Sequence, residues 1–363
     1  MNHKTTITHH TRIPWIDTAK GIGIFLVVLG HNYIPPPIFG YFYTFHMPLF
    51  FFLSGFLFHP GKYTKLSDYI ARKFKTLIIP YILFAIAGLV YALLFINKFW
   101  LESFDLQQHL IKPGLNTFIG INLNIVSIPL WFIPCLFLTE IIFFTLHKHL
   151  KVSWKLIIGI IATSLIGLSL TYLSRKMYWS LNTAFIAVIF YGAGFFIRNL
   201  IKNNKFSLQD KMNNHSLLLF CVLGLAINFF FYKINGAPDM FDNDYHNFLY
   251  YVLGALAGID AYIIISNFIN KFLPKFKILN FLGQHSLIIL GLHLIVLDFV
   301  RDMARFHGPL INLFVPTGPS LLFGLIYTIS TLLLLWPIIL LIDKKFFLNH
   351  LAKRKFLKIF SID

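Results

Sequence analysis

The stretch Trp15–Tyr33, WIDTAKGIGIFLVVLGHNY, decides the fold, because it is apolar enough to cross a membrane and still carries ionisable residues. A charged side chain costs about 2.5–3.5 kcal/mol at the centre of a membrane helix, so such residues are functional candidates. Lys20 and His31 are eleven positions apart, which at about 100° per residue places them on one helix face. At about 1.5 Å per residue, roughly 16 Å of helix separates them. The alternative is that Lys20 extends to lipid phosphates while His31 caps the opposite interface.

Composition excludes a soluble globular protein, since 57% of the residues are hydrophobic, 12% are charged, and the mean hydropathy is +0.71. Long apolar stretches recur along the chain without the alternation of barrel strands. We predict an all-α polytopic membrane protein with about ten transmembrane helices, a transmembrane domain at 15–342, an N-terminal segment at 1–14 and a basic tail at 343–363. The predicted spans are about 15–34, 40–59, 77–96, 127–146, 155–173, 178–197, 216–232, 247–269, 279–299 and 319–342.

The net charge of +17 follows a membrane topology. With the N-terminus in the cytosol and ten alternating spans, all but seven of the 31 Lys and Arg residues fall in cytosolic segments. Cytosolic loops of membrane proteins carry such an excess. The charge pattern therefore predicts that both termini are cytoplasmic, and it gives no reason to expect a nucleic-acid partner.

The second predicted span begins with YTFHMPLFFFLSGFLFH, and its His46 lies near His31 in an antiparallel hairpin. Two histidines at one membrane depth are typical of a catalytic pocket or a metal site. We expect no metal, because no third ligand has suitable spacing nearby. Arg72, Lys73 and Lys75 precede the third span. They are either ordinary positive-inside charge or a clamp for a phosphorylated ligand.

Other polar residues leave more than one interpretation open. Glu140 lies deep within its predicted span and needs a cation or a hydroxyl from a neighbouring helix. His293 in the ninth span is either a satisfied buried histidine or a member of the site. The connection at 97–126 is long enough to fold over the outer face as a lid or acceptor platform.

Two outer loops carry unusual charge. Asp239, Asp242 and Asp244 gather in one loop, where a solvated acidic segment is favoured over a calcium site because the spacing is not that of an EF-hand. Arg175 and Lys176 lie on another outer turn, against the charge rule. Interface anchoring is the favoured explanation for this basic pair, and contact with an acidic or phosphorylated acceptor is the alternative.

Five motifs together resemble the membrane acyltransferase-3 family: DTAKGIGIFLVVLGH, FHMPLFFFLSGF, ARKFKTLIIPY, LWFIPCLFLTE and LGQHSLIILGLH. The resemblance covers essentially the whole chain and is closest to the fucose-O-acetyltransferase-like branch, whose members modify bacterial surface sugars. It implies a multi-pass enzyme of the bacterial inner membrane. That enzyme would move an acetyl group from cytosolic acetyl-CoA to a sugar hydroxyl of an O-antigen, a capsule or a similar glycan.

The family's Arg/Lys-x10-His pattern falls on Lys20 and His31, and the resemblance implies an essential role for His31 in acyl transfer. The basic group before the third span falls on Arg72, Lys73 and Lys75, which the resemblance implies in acyl-CoA use. The sequence departs from the commoner family pattern in two places. It has Lys at position 20, where Arg is usual, and the basic element reads Arg-x-x-Lys.

Together these features predict that acetyl-CoA places its phosphates near Lys20 and the basic group, and its thioester near His31. His31 would then act as a general base or as an acyl carrier. Asp17 would orient a cation, and His46 would orient His31 or the acceptor. The expected partners are acetyl-CoA, a carbohydrate acceptor and membrane lipid. The alternatives are a transporter or flippase for an envelope glycan precursor, or a structural or sensory membrane protein.

Overall fold

The computed structural model describes residues 13–32, 34–96, 111–120, 125–174, 176–202, 213–306 and 318–359, which form helices and no β-strand. The α-helices, in chain order, are α1 (Pro14–Gly30), α2 (Pro36–Tyr43), α3 (His46–Phe56), α4 (Leu66–Lys73), α5 (Ile79–Tyr91), α6 (Lys112–Ile119), α7 (Phe132–Leu150), α8 (Trp154–Leu173), α9 (Leu181–Lys202), α10 (Asn214–Asn235), α11 (Phe248–Phe272), α12 (Ile278–Gln284), α13 (Ser286–Phe306) and α14 (Leu321–Ile359). Turns of π-helix join α4 to α5 (Phe74–Ile78) and follow α5 (Ala92–Ile96).

Seven helical segments of the described chain are long and apolar enough to cross a membrane. They are Leu66–Phe95, Ile128–Leu150, Trp154–Leu173, Tyr178–Lys202, Asn214–Asn235, Phe248–Phe272 and Leu321–Asp343. They correspond to seven of the ten predicted spans, and they make the chain a multi-pass helical membrane protein. The last of them belongs to a helix that continues to Ile359, so the predicted tail at 343–363 begins as an extension of α14.

The other three predicted spans are short or interrupted. Helix α1 has 17 residues, because the prolines that follow it cannot continue a helix. The span predicted at 40–59 is divided between α2 and α3, where the backbone of Phe45 leaves the helical region (φ −139°, ψ −21°). The span predicted at 279–299 is divided between α12 and α13 at His285.

Helix α1 lies at the centre of the bundle, where it packs against α3, α11, α12, α13 and α14. Gly21 of α1 and Gly283 of α12 allow the two backbones to touch, because a methyl group on either would lie within 2.0 Å of a carbonyl oxygen of the other helix. Gly55 of α3 and Gly194 of α9 meet in the same way. Such small residues allow the closest helix contacts in membrane proteins. They fix α1 and α3 in the centre of the bundle.

The outer helices present a different surface. Helices α8 and α10 expose large apolar side chains, among them Ile157, Ile158, Ile161, Leu165, Ile166, Leu218, Leu219, Phe220, Val222 and Leu223. Apolar surface on this scale is what a lipid environment accommodates. Among the polar residues singled out by the sequence, Lys20 and His46 belong to the central helices α1 and α3, and His31 directly follows α1.

Candidate active site

Two cavities lie along α1. The first, which we call the cation cavity, has a volume of about 270 Å³ and contains Lys20, Lys73 and Glu140 in its lining. The second, the histidine cavity, has a volume of about 60 Å³ and contains His31 and His46. The predicted spacing on α1 thus gives each cavity one residue of the Lys-x10-His pattern.

In the cation cavity, Lys73 and Glu140 form a partly buried ion pair. The Lys73 Nζ lies 2.8 Å from the Glu140 Oε1, and only 4% of the Glu140 side chain is exposed. This is the cationic partner that the sequence requires for Glu140. The second carboxylate oxygen, Oε2, is buried without a hydrogen bond to any described residue. With both lysines protonated, Lys20 gives the cavity an excess positive charge that suits an anionic ligand.

The structure separates the three basic residues that precede the third predicted span. Lys73 is partly buried and lines the cation cavity, whereas Arg72 and Lys75 are exposed. The turn of π-helix at Phe74–Ile78 begins directly after Lys73, and such turns occur frequently at functional sites. Only Lys73 of the three therefore shares a cavity with Lys20.

His31 is held through its backbone while its ring faces the histidine cavity. Its N–H donates to the carbonyl oxygens of Val27 and Val28, each at 3.3 Å. Its own carbonyl accepts a hydrogen bond from the Arg301 Nη2 at 2.6 Å. The imidazole of His31 forms no hydrogen bond with a described residue, so it remains available to a ligand. This arrangement follows from the end of α1 at Gly30, which leaves His31 at the helix terminus.

Two further histidines, His46 and His293, each present an unprotonated ring nitrogen. The His46 Nδ1 lies 2.7 Å from the Phe42 carbonyl oxygen, and the His293 Nδ1 lies 3.0 Å from the carbonyl oxygens of Ile289 and Leu290. Because a carbonyl only accepts, Nδ1 carries the proton in each ring, and in the neutral imidazole Nε2 keeps its lone pair.

His293 joins the site, which the sequence leaves open. Its ring centroid lies 5.2 Å from that of His31, and the residue is completely buried. Its Nε2 is buried and has no hydrogen-bond partner among the described residues. The sequence signal was a histidine in an apolar span, but nothing in that signal indicated contact with His31 across 262 positions of the chain.

Asp17 belongs to neither cavity. Its Oδ2 accepts a hydrogen bond from the Gln284 Nε2 at 3.0 Å, and the described contacts include no ion pair with Lys20. It also lies fourteen residues before His31, at the opposite end of α1. Asp17 thus links α1 to α12, and its carboxylate acts electrostatically on Lys20, so the predicted role of orienting a cation stays a prediction.

The loop between α10 and α11 is not simply the solvated acidic segment that the sequence favours, because Asp239 lines the histidine cavity. The Asp239 Oδ1 accepts the N–H of Phe241 at 2.7 Å and that of Asp242 at 3.3 Å. Burial raises the pKa of the Asp239 carboxyl above its ordinary value, and these N–H donors oppose the change. The carboxylate is thus fixed in the cavity wall.

Lys176 fastens the same loop. Its Nζ lies 3.0 Å from the Asp242 Oδ1 and 4.3 Å from the centroid of the Phe241 ring. Arg175 lies outside the described residues, as do 97–110 and 121–124 of the predicted outer lid. Between 111 and 120, that connection contains the short helix α6.

Two apolar side chains separate the cavities. Met47 and Leu290 appear in the lining of both, so the two cavities adjoin at these side chains. Neither residue carried a functional signal in the sequence. In the part of the chain that the structure describes, no group of three or more His, Cys, Asp or Glu side chains is arranged to hold a metal ion.

A family model described as an acyltransferase domain matches residues 13–340. This region contains every residue that lines the two cavities. Comparison with curated proteins and with solved structures gave no match. Because the family model covers most of the 363 residues, the chain belongs to the acyltransferase-3 family.

Proposed function

We propose that this membrane acyltransferase moves an acetyl group from cytosolic acetyl-CoA to a sugar hydroxyl of a bacterial surface glycan, such as an O-antigen or a capsule. The observation that carries this proposal is that α1 lines both cavities, with Lys20 in the cation cavity and His31 in the histidine cavity. The motif resemblance favours the fucose-type branch of the family. The host membrane would be the bacterial inner membrane.

The cation cavity would hold the anionic end of the donor. Phosphate groups pair well with lysine, and Lys20 and Lys73 both line this cavity. Arg72 and Lys75 are exposed next to Lys73, so they would contact the nucleotide end of the donor from outside the cavity. The flexible pantetheine arm would then pass Met47 and Leu290, carrying the thioester over the roughly 16 Å to His31.

The histidine cavity would perform the transfer. A neutral His31 imidazole takes the proton of the acceptor hydroxyl as the hydroxyl oxygen attacks the thioester carbonyl. The C–O bond forms, the C–S bond breaks, and the CoA thiolate leaves with the proton that His31 carries. The products are an O-acetyl ester and CoA. His46 and His293 would hold His31 or the acceptor in position through their Nε2 lone pairs, while an acyl-imidazole on His31 is the other route.

We also propose ten membrane crossings with both termini in the cytosol. In this topology α1, the α2–α3 pair and the α12–α13 pair each make one crossing, in addition to the seven uninterrupted segments. Interrupted helices are tolerated at membrane depth where protein or a cavity surrounds them. The distribution of Lys and Arg supports this orientation, which turns the cation cavity towards the cytosol.

Mass spectrometry of envelope glycans tests the proposal. Cells would produce the wild-type protein, His31→Ala, the exposed-histidine control His149→Ala, or no protein. We expect an acetyl ester with wild type and with the control, and its loss with a stably expressed His31→Ala. Identical glycan acetylation in all four strains would contradict the proposal and would favour transport of a glycan precursor.

A further inference from the structure

Three separate elements supply polar and aromatic groups to the histidine cavity. Tyr43 comes from the end of α2, Trp131 from the turn before α7, and Asp239 from the loop between α10 and α11. None of these residues belongs to the Lys-x10-His pattern or to the proposed donor cavity. They line the cavity together with His31 and His46, so whatever reacts at His31 meets them.

We propose that Asp239, Tyr43 and Trp131 form the acceptor subsite, and that they select an uncharged sugar through its hydroxyl groups. This inference rests on the proposed function, since it names the substrate class of the same site. A volume of about 60 Å³ holds only a few water-sized groups. The cavity would therefore admit the reacting edge of a sugar, while the rest of the glycan stays outside.

The hydrogen-bond acceptors in the cavity wall suit a ligand that donates hydrogen bonds. His46 presents an Nε2 lone pair, as its Nδ1 contact with a carbonyl requires. The Asp239 Oδ1 accepts two backbone N–H groups, and Oδ2 forms no hydrogen bond with a described residue. A sugar brings hydroxyl donors that match these acceptors. Tyr43 and Trp131 add aromatic rings to the lining, and the negative quadrupole of such rings attracts the C–H groups of a sugar ring.

The surrounding charges disfavour an anionic acceptor. The Asp239 carboxylate repels a nearby carboxylate or phosphate in this partly buried setting. Two nearby cations, among the residues that the structure describes, already have partners. Lys176 pairs with Asp242, and Arg301 donates to the His31 carbonyl. An acceptor with a negative charge on the reacting sugar would thus meet the Asp239 carboxylate directly and would compete with Asp242 for Lys176.

The decisive experiment measures steady-state transfer by the purified full-length protein in lipid nanodiscs. The donor is radiolabelled acetyl-CoA, and the acceptor is unacetylated surface glycan extracted from cells that lack the protein. Asp239→Asn keeps an oxygen that accepts the Phe241 and Asp242 N–H groups, so it removes the charge and preserves the turn. We expect the KM for glycan to rise about tenfold or more, with the KM for acetyl-CoA unchanged.

Two further variants control for structural effects. Asp244→Asn changes an exposed carboxylate of the same loop, whose ion pair among the described residues is with His246 at 3.4 Å, and it should leave both KM values unchanged. Tyr43→Phe removes one hydroxyl from the cavity without changing its shape, and should raise the KM for glycan by about two- to tenfold. Tyr43→Phe also carries the test if Asp239→Asn does not fold.

Several outcomes would overturn the inference. A KM for glycan that stays within about twofold of wild type in both Asp239→Asn and Tyr43→Phe would do so, as would an equal rise in the KM for acetyl-CoA. So would an acetyl ester found on a sugar that carries a carboxylate or a phosphate. His31→Ala in the same assay distinguishes a failure of this inference from a failure of the proposed function. If His31→Ala or a sample without protein transfers as well as wild type, the proposed function itself fails.

Discussion

The central helices and the outer helices of this protein follow opposite rules. In α3, every residue except Ser54 is buried. In α10, by contrast, only 17% of an apolar stretch of 18 residues is buried. The outer helices are long and uninterrupted, and the central ones are short or divided by breaks at Phe45 and His285. Since lipid tails are as apolar as leucine, hydrophobicity alone does not decide which helix lies inside.

Hydropathy therefore locates the outer helices well and the functional centre poorly. At these breaks the chain departs from a regular apolar helix. Each break either adjoins a histidine of the proposed site or begins the helix that carries one. His31 directly follows α1, His46 begins α3, and His293 lies in α13.

The largest effect is expected at His31. We expect His31→Ala to lower the rate of acetyl transfer about 10²- to 10⁴-fold, because it removes the proposed general base. His149→Ala, at an exposed position of α7, should retain the wild-type rate. The rates are measured with purified protein and radiolabelled acetyl-CoA. A rate for His31→Ala within threefold of wild type would remove His31 from the chemistry.

The close helix contacts at the centre should tolerate no added methyl group. A methyl on Gly55 would lie 1.9 Å from the Tyr191 carbonyl oxygen, so Gly55→Ala must push two backbones apart. We expect a loss of about 1–3 kcal/mol or more in the free energy of unfolding, seen as a lower Tm in detergent. Gly61→Ala is the control, because nothing lies within 4 Å of its added methyl. Equal Tm values for the two variants would contradict the packing described.

The Lys73–Glu140 pair should matter for stability as well as for the donor. Lys73→Gln leaves a buried carboxylate without its cation and should lower the free energy of unfolding by up to about 3 kcal/mol. The exposed Lys75→Gln should change it by less than about 0.5 kcal/mol. Chemical denaturation in detergent measures both. The double variant Lys73→Met with Glu140→Leu sharpens the test, since it should recover stability and remain inactive.

The smallest effect is expected in the periphery. Leu219 of α10 is 58% exposed, while Leu53 of α3 is fully buried. We expect Leu219→Ala to change the free energy of unfolding by about 0.5 kcal/mol or less, and Leu53→Ala to lower it by about 2–5 kcal/mol. Thermal unfolding of the two variants side by side provides the comparison. A larger cost at Leu219 would indicate that another protein covers α10.

The sequence predicts features that the covalent chain controls directly. Helical periodicity places Lys20 and His31 on one face, and the prolines after α1 create the hairpin that carries His46 back towards His31. The need of Glu140 for a partner follows from the cost of a charge at membrane depth. These predictions require only local geometry, or the preference of the membrane for apolar groups.

What the sequence could not predict depends on tertiary packing. Arg72 and Lys75 are equivalent to Lys73 in the sequence. The packing of α4 and its π-helical turn places Lys73 in the lining of the cation cavity and leaves Arg72 and Lys75 exposed. His293 meets His31 because α13 packs on α1. In the sequence, Asp239 is one of three similar loop carboxylates. Only the folded turn with Phe241 places it in the cavity wall.

The most direct test of the central claim measures binding separately from chemistry. Equilibrium binding of radiolabelled acetyl-CoA would be compared for wild type, His31→Ala and Lys20→Gln in nanodiscs. The two-cavity arrangement predicts that His31→Ala binds within about twofold of wild type without transferring the acetyl group. It predicts that Lys20→Gln binds about tenfold or more weakly. Wild-type binding by Lys20→Gln, or equally weak binding by both variants, would contradict the claim that the donor binds in the cation cavity while catalysis takes place in the histidine cavity.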